Sequence, residues 1–118
     1  MSSSFTVRTL RGVTLVDLAG RLTLGPGLVE LEDLVSQSLA SGVRQIIFNL
    51  QDVSYADSSG IGQLTGSLKA VTEKGGKLKL LKLSPRLEGL LLLTHVYSLF
   101  EVFTDEEKAI ASFGNTNA

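Results

Sequence analysis

Few side chains in this chain can do chemistry, and those that can gather in one place. Asp57, Ser58 and Ser59 stand together, followed by Gly60-Ile61-Gly62. A carboxylate beside two hydroxyls suits nucleophilic catalysis with a histidine, phosphoryl acceptance at Asp57 with magnesium, or capping of a helix. A Ser-His-Asp triad needs an imidazole as its base. The only histidine is His95, in Leu-Leu-Thr-His-Val-Tyr, and it reads as a structural or solvent-facing residue at a helix end. Neither serine sits in a G-x-S-x-G elbow. A single histidine also leaves a zinc site short of its usual ligands.

Magnesium at a phosphoacceptor aspartate, as in a response-regulator receiver, calls for several oxygen ligands at once. Only Asp52 lies near Asp57 in the sequence, and the second strand ends in Ala19-Gly20, with no acidic residue there. There is no P-loop lysine and no G-x-G-x-x-G after a strand. Gly60-Ile61-Gly62 matches only a fragment of such patterns. What local sequence leaves is an oxygen-rich helix start, with Asp57 and Ser58 as caps.

The elements around it support that reading. Ile46-Ile47-Phe48-Asn49-Leu50 is an apolar run, residues 51–57 read as a polar turn, and Ile61, Leu64, Leu68 and Val71 recur at helical spacing. The pattern predicts a buried strand over 43–50, a loop, and a helix from near Ser58 to about Lys74, stopped by Gly75-Gly76. Backbone N–H groups at such a start lack helical partners and carry partial positive charge. A serine there is both a good cap and a reachable one. Gly62 and Gly66 stand four apart on this helix. They predict close approach of the helix to the sheet, or else a flat surface that a partner can approach.

Upstream, residues 5–10 and 13–18 predict a β-hairpin turning at Arg11-Gly12. In the second strand Val13, Leu15 and Asp17 share one face and Thr14, Val16 and Leu18 the other. Neither face is cleanly polar, so the strand should be covered on both sides. Residues 19–25 then leave the sheet. Pro26 suits a first helical turn, and Leu28, Leu31, Leu34, Val35 and Leu39 continue at helical spacing. Glu30, Glu32 and Asp33 are expected near the positive end of that helix, and Ser41-Gly42 should stop it.

Downstream, residues 77–83 alternate lysine with leucine and predict a strand with a solvated face at its start, carrying Lys77 and Lys79. Ser84-Pro85 opens a helix with Leu87, Leu90, Leu91 and Leu93, whose 90–93 run is apolar nearly all round and should leave apolar surface exposed. Residues 99–103 predict a short last strand. Thr104-Asp105-Glu106-Glu107 reads as a capping box opening a helix with Ala109, Ile110 and Phe113 inward. Residues 114–118 should fray. The order β-β-α-β-α-β-α-β-α is that of an α/β protein, parallel apart from the first hairpin.

The 118 residues fit one domain, and 43% hydrophobic content leaves room for a sizeable core. A formal net charge of −1, with charges scattered, shows no basic footprint for nucleic acid. The absence of cysteine excludes disulfides and thiol chemistry. No apolar run approaches the roughly 20 residues of a membrane span. Met1-Ser2-Ser3-Ser4 lacks the features of a signal peptide. A cytoplasmic domain in direct contact with neither nucleic acid nor membrane is the expectation.

In this strand order, four segments resemble the STAS domain, specifically the bacterial anti-sigma factor antagonists (anti-anti-sigma factors). They are Leu18-Ala19-Gly20-Arg21-Leu22, Val53-Ser54-Tyr55-Ala56-Asp57-Ser58-Ser59-Gly60-Ile61-Gly62, Gly75-Gly76-Lys77-Leu78 and Leu83-Ser84-Pro85. The likeness spans nearly the whole chain. It implies one STAS domain over 1–118 with a core over about 5–113, a mixed β-sheet with an N-terminal antiparallel hairpin, and about four helices. It also implies no cofactor and no enzymatic activity.

In that family the serine directly after the aspartate is phosphorylated by a partner anti-sigma factor with serine kinase activity. Ser58 holds that position, with Ser59 the lesser candidate. The unphosphorylated form binds the kinase and frees the sigma factor, and a PP2C-type phosphatase restores it. The implied partner surface comprises Asp57, Ser58, Ser59, Gly60, Ile61 and Leu24, while Tyr55 and Ile61 are each either rim or core. The loop before the first helix, often acidic or polar in the family, is the more apolar Thr23-Leu24-Gly25-Pro26-Gly27 here. Two other readings stay open: a STAS module docking onto a transporter or scaffold without a phosphoswitch, and a nucleotide-binding domain.

Overall fold

The structure, a computed structural model, describes residues 4–114. The elements in chain order are β1 (Ser4–Leu10), β2 (Val13–Leu22), α1 (Pro26–Ala40), β3 (Gln45–Ala56), α2 (Ser58–Glu73), β4 (Lys77–Leu81), α3 (Pro85–Leu93), a 3-10 turn (Tyr97–Leu99), β5 (Val102–Phe103) and α4 (Glu106–Ala111). The strands form one five-stranded sheet in the order β1-β2-β3-β4-β5. β1 and β2 are antiparallel, and every later neighbour is parallel. At the hairpin, Arg11 and Gly12 both take positive φ, 50° and 79°. That is the backbone a two-residue turn needs to match the twist of its strands.

Residues alternating along the strands feed two cores. Val16, Phe48 and Leu80 lie on the side where Leu31 and Val35 of α1, Leu64 and Val71 of α2, and Leu87 and Leu91 of α3 pack. Leu15, Ile47 and Leu81 face the other way, toward Ala109 and Ile110 of α4. β2 is therefore apolar on both faces because helices cover both, as its sequence predicts. Arg8 on β1 fastens α4 to the hairpin. Its Nε and Nη2 donate to Asp17 at 2.6 and 2.9 Å, and Nη2 also donates to Glu106 at 2.9 Å. Asn49 Nδ2 donates to Asp17 Oδ1 at 2.8 Å.

The structure departs from expectation in several places. β2 runs on to Leu22 and β3 to Ala56, so 51–56 is strand rather than loop. The extension pairs Ala19 with Asp52, Gly20 with Val53, Arg21 with Tyr55 and Leu22 with Ala56, across two register shifts. β3 outruns β4, whose last partner pair is Asn49 with Leu81. Gln51, Asp52 and Ser54 are therefore exposed while Val53 and Ala56 are buried, and the polar side of the strand imitates a loop in sequence.

Lys79, expected in solvent, is 2% exposed. Its Nζ donates to the Ser112 hydroxyl at 2.8 Å and lies 4.4 Å from the Phe113 ring centroid. The α4 side of the sheet is covered there, so the ammonium finds a built cage instead of water. The last strand is only Val102–Phe103, and α4 is capped by Asp105, which accepts the Glu107 N–H at 2.9 Å, in place of Thr104. α1 begins at Pro26, leaving its acidic residues beyond the first turn, where the helix dipole has largely decayed. Gly42, with φ 99°, follows α1 in the left-handed conformation as expected. Ser84 caps α3 through the Leu87 N–H, and Leu92 and Leu93 are exposed. The frayed end expected over 114–118 lies, beyond Gly114, outside the described residues.

Candidate functional site

β2 and β3 finish side by side, and the chain reverses into α2 directly after them. The Asp57 N–H donates to the Leu22 carbonyl at 3.1 Å, extending the pairing by one more bond. Asp57 has extended backbone and caps α2. One carboxylate oxygen accepts the Gly60 N–H at 2.8 Å, and the other accepts the Leu24 N–H at 3.0 Å. A single side chain thus ties the β2–α1 loop to the first turn of α2. The Leu24 amide first, and then the Gly60 amide, hold the carboxyl below its ordinary 3.8. It is ionised at neutral pH, so it serves here as a fixed anion and not as a proton donor.

Ser58 is the first residue of α2 and is exposed; Ser59 is half-buried. Among the described residues neither hydroxyl makes a hydrogen bond. Ser58, expected to share the cap with Asp57, therefore takes no part in it. Asp57, one residue earlier, already occupies the first free amides. Leu24, 80% exposed, flanks the site from the loop. Gly60 and Ile61 lie beneath: Gly60 is buried against Leu22, and Ile61, 8% exposed, belongs to the core.

Of the two readings of Gly62 and Gly66, close approach to the sheet is not met. Gly60 makes the close approach to the sheet: a Cβ there would stand 2.0 Å from the Leu22 carbonyl oxygen. Gly62 and Gly66 would have nothing within 4 Å of such an atom. They border an open groove between α1 and α2, lined also by Glu32, Ser36 and Gln63. Helical spacing shows that these glycines share a side, but only the sheet's position shows which side faces it.

Sequence reading also missed a cluster next to the site. The guanidinium carbons of Arg21 and Arg86 lie 5.1 and 5.0 Å from the centroid of the Tyr55 ring. Arg21 faces Tyr55 across the β2–β3 register, and Arg86 comes from the first turn of α3. The signal was hidden because residues 51–56 did not read as strand. His95 stands apart, exposed at the end of α3 with φ 63°. Among the described residues no group of three or more His, Cys, Asp or Glu is placed to hold a metal ion, and no helix is long and apolar enough to cross a membrane.

The sheet order, the antiparallel first pair and the Asp-Ser-Ser-Gly turn at the head of α2 can be set beside known proteins. The family model of the STAS domain matches residues 4–109. The chain belongs to the STAS domain family. This STAS protein is 35% identical over 95 residues to the anti-sigma-B factor antagonist of Bacillus subtilis (strain 168), a match covering 80% of this chain and 85% of that one. It is 37% identical over 73 residues to the anti-sigma-B factor antagonist of Staphylococcus aureus (strain NCTC 8325 / PS 47), covering 62% and 68%.

Among solved structures, the unphosphorylated form of the anti-sigma factor antagonist SpoIIAA superposes with a TM-score of 0.82 at 22% identity, over 98% of this chain and all (100%) of that one. The phosphorylated form of SpoIIAA, a Bacillus cell fate determinant, gives 0.73 at 23% identity, over 93% and 99%. These superpositions establish the STAS fold, a mixed sheet with an antiparallel opening hairpin and four helices.

Proposed function

We propose that this STAS protein is an anti-sigma factor antagonist that exchanges partners through phosphorylation of Ser58 and has no catalytic activity of its own. The observation that carries this reading is the exposed, unbonded Ser58 hydroxyl at the head of α2, held by Asp57 beside the exposed Leu24. The names of the relatives point to the same class of protein. The unphosphorylated form would bind a serine-kinase anti-sigma factor and release its sigma factor. Modification of Ser58 by that kinase would end binding, and a PP2C-type phosphatase would restore it. The exchange would run in the cytoplasm between proteins, without direct contact to nucleic acid or membrane.

A phosphate on Ser58 adds about −1.5 to −2 charges. The positive end of the α2 dipole tolerates an anion there, so the fold survives. Asp57, ionised next door, opposes the new charge. The consequence is local: a bulky anion stands in the partner surface formed by Leu24 and Ser58, with Asp57 and Ser59 at its edge and Gly60 and Ile61 supporting it from below. At about 1.4 kcal/mol per factor of ten, a few kcal/mol of repulsion and desolvation lowers affinity by orders of magnitude.

The test pairs the chain with a serine-kinase anti-sigma factor and ATP, maps the modified residue by mass spectrometry, and measures binding of Ser58→Ala and Ser58→Asp. Ser58 should carry the phosphate. Ser58→Ala should bind without being modified, and Ser58→Asp should bind about tenfold or more weakly. Equal affinity of Ser58→Asp and the unsubstituted protein would overturn the switch. Binding without any phosphorylation would favour a docking module for a transporter or scaffold.

A further inference from the structure

The arginines of this chain divide into two groups. Arg8 donates to Asp17 and Glu106, Arg11 to Glu107, and Arg44 to the carbonyls of Leu39 and Val43. Each of these guanidiniums is engaged by protein oxygens. Arg21 and Arg86 have neither an ion pair nor a hydrogen bond among the described residues. Both are exposed, and both lie against the ring of the half-buried Tyr55.

A guanidinium over a ring is held by the ring's quadrupole, and that contact leaves its N–H donors unspent. The tyrosine therefore orders two cations without neutralising them. Their placement is costly for the fold in isolation. Two like charges share one ring, and Arg86 sits in the first turn of α3, where the helix dipole disfavours a cation. Glu88, in the same turn, forms no ion pair with it within 4.0 Å. Arg21 and Tyr55 pair across β2 and β3 one position before Leu22 and Ala56, and the Leu22 carbonyl accepts the Asp57 N–H, so the cluster stands on the strand ends that lead into Ser58.

We propose that Arg21, Tyr55 and Arg86 form a docking site for an acidic segment of the partner protein, whose carboxylates take the free in-plane donors of the two guanidiniums. Planar carboxylates fit the fork of N–H groups two at a time. Ordering by the ring removes part of the rotamer cost that a long side chain otherwise incurs on binding. Charges at the rim of an interface act chiefly on association rate and on its salt dependence. This site would steer the partner onto Ser58, and the inference rests, for the identity of that partner, on the proposed function above.

Two measurements test it. In the first, a short oligoglutamate peptide is titrated into the purified chain at low salt, while NMR follows the arginine Nε–H and tyrosine ring signals. Arg21, Arg86 and Tyr55 should shift in a saturable way that high salt suppresses, with Arg44 unmoved and an oligolysine peptide without effect. Equal shifts at Arg44, or no shift at Arg21 and Arg86, would overturn the inference.

In the second, Arg21→Gln/Arg86→Gln is compared with the unsubstituted chain for association with the serine-kinase anti-sigma factor. The double variant should associate about tenfold more slowly at low salt and lose most of its salt dependence. Unchanged rate and salt dependence would overturn the docking site while leaving the Ser58 switch standing. Should the unsubstituted chain bind no anti-sigma factor, the proposed function fails, and the peptide titration alone decides the acidic-segment site.

Discussion

Gly60 sits so close to Leu22 that a methyl group on its Cα would stand 2.0 Å from the Leu22 carbonyl oxygen. The same carbonyl accepts the Asp57 N–H, so the end of β2, the cap and the first turn of α2 are fixed against one another. Gly60→Ala must push α2 off the sheet. A loss of about 1–3 kcal/mol is expected from overpacking against backbone. Urea unfolding measures it, and a shifted Asp57 clasp should appear as altered Leu24 and Gly60 amide signals.

Gly62→Ala and Gly66→Ala should act in the opposite direction. Both glycines lie in the helix interior with open space where a Cβ would go. Each substitution should raise stability by up to about 1 kcal/mol through helix propensity and a less flexible unfolded chain. The urea midpoint should rise with an unchanged slope. A fall would show that the groove beside α1 closes in solution.

Ser58→Ala should leave stability within about 0.5 kcal/mol of the unsubstituted protein, because its hydroxyl holds nothing in the fold. A larger loss would make Ser58 a structural cap. Thermal and urea unfolding of the two proteins compare them directly.

Asp57 should report its own ionisation through its two amide partners. Its pKa is depressed, so the clasp is complete above 3.8 and is lost as pH falls through the lower folded value. The Leu24 and Gly60 amide signals should titrate together with a midpoint below 3.8. Asp57→Asn should abolish that titration and speed hydrogen exchange at Leu24.

The Arg8 cluster gives a second acid-sensitive contact. Hydrogen bonds from Arg8 hold Asp17 and Glu106 below their ordinary values of 3.8 and 4.5. Both depressed carboxylates stabilise the fold above those values, and their contribution disappears as pH falls through the folded ones. The groups are partly exposed, so solvent screening limits the effect to about 1 kcal/mol. Asp17→Asn should cost about that much at neutral pH and flatten the acid limb of a stability-against-pH curve measured by urea unfolding.

Local rules made much of the fold legible. Arg11-Gly12 forces a tight hairpin, Ser84-Pro85 opens α3, and Asp57 opens α2, because turns and caps are settled by residues within a few positions of one another. Apolar periodicity likewise marked α1, α2 and the buried strands. The start of α2 at Ser58, on which the candidate site rests, was legible for the same reason, since a helix start is a local feature.

What the amino-acid order could determine alone was which segments coil, which extend and where an oxygen-rich helix start stands. Packing decided the rest. Residues 51–56 become strand because the distant β2 runs alongside them, and Lys79 is buried because Ser112 and Phe113 close over it. Arg21, Tyr55 and Arg86 come from three elements and meet only when these assemble. Gly60 and Gly62 are the same residue two positions apart on one helix, and only their distance to Leu22 makes one indispensable and the other replaceable. Local free energies depend on neighbours in the chain, whereas these outcomes depend on neighbours in space.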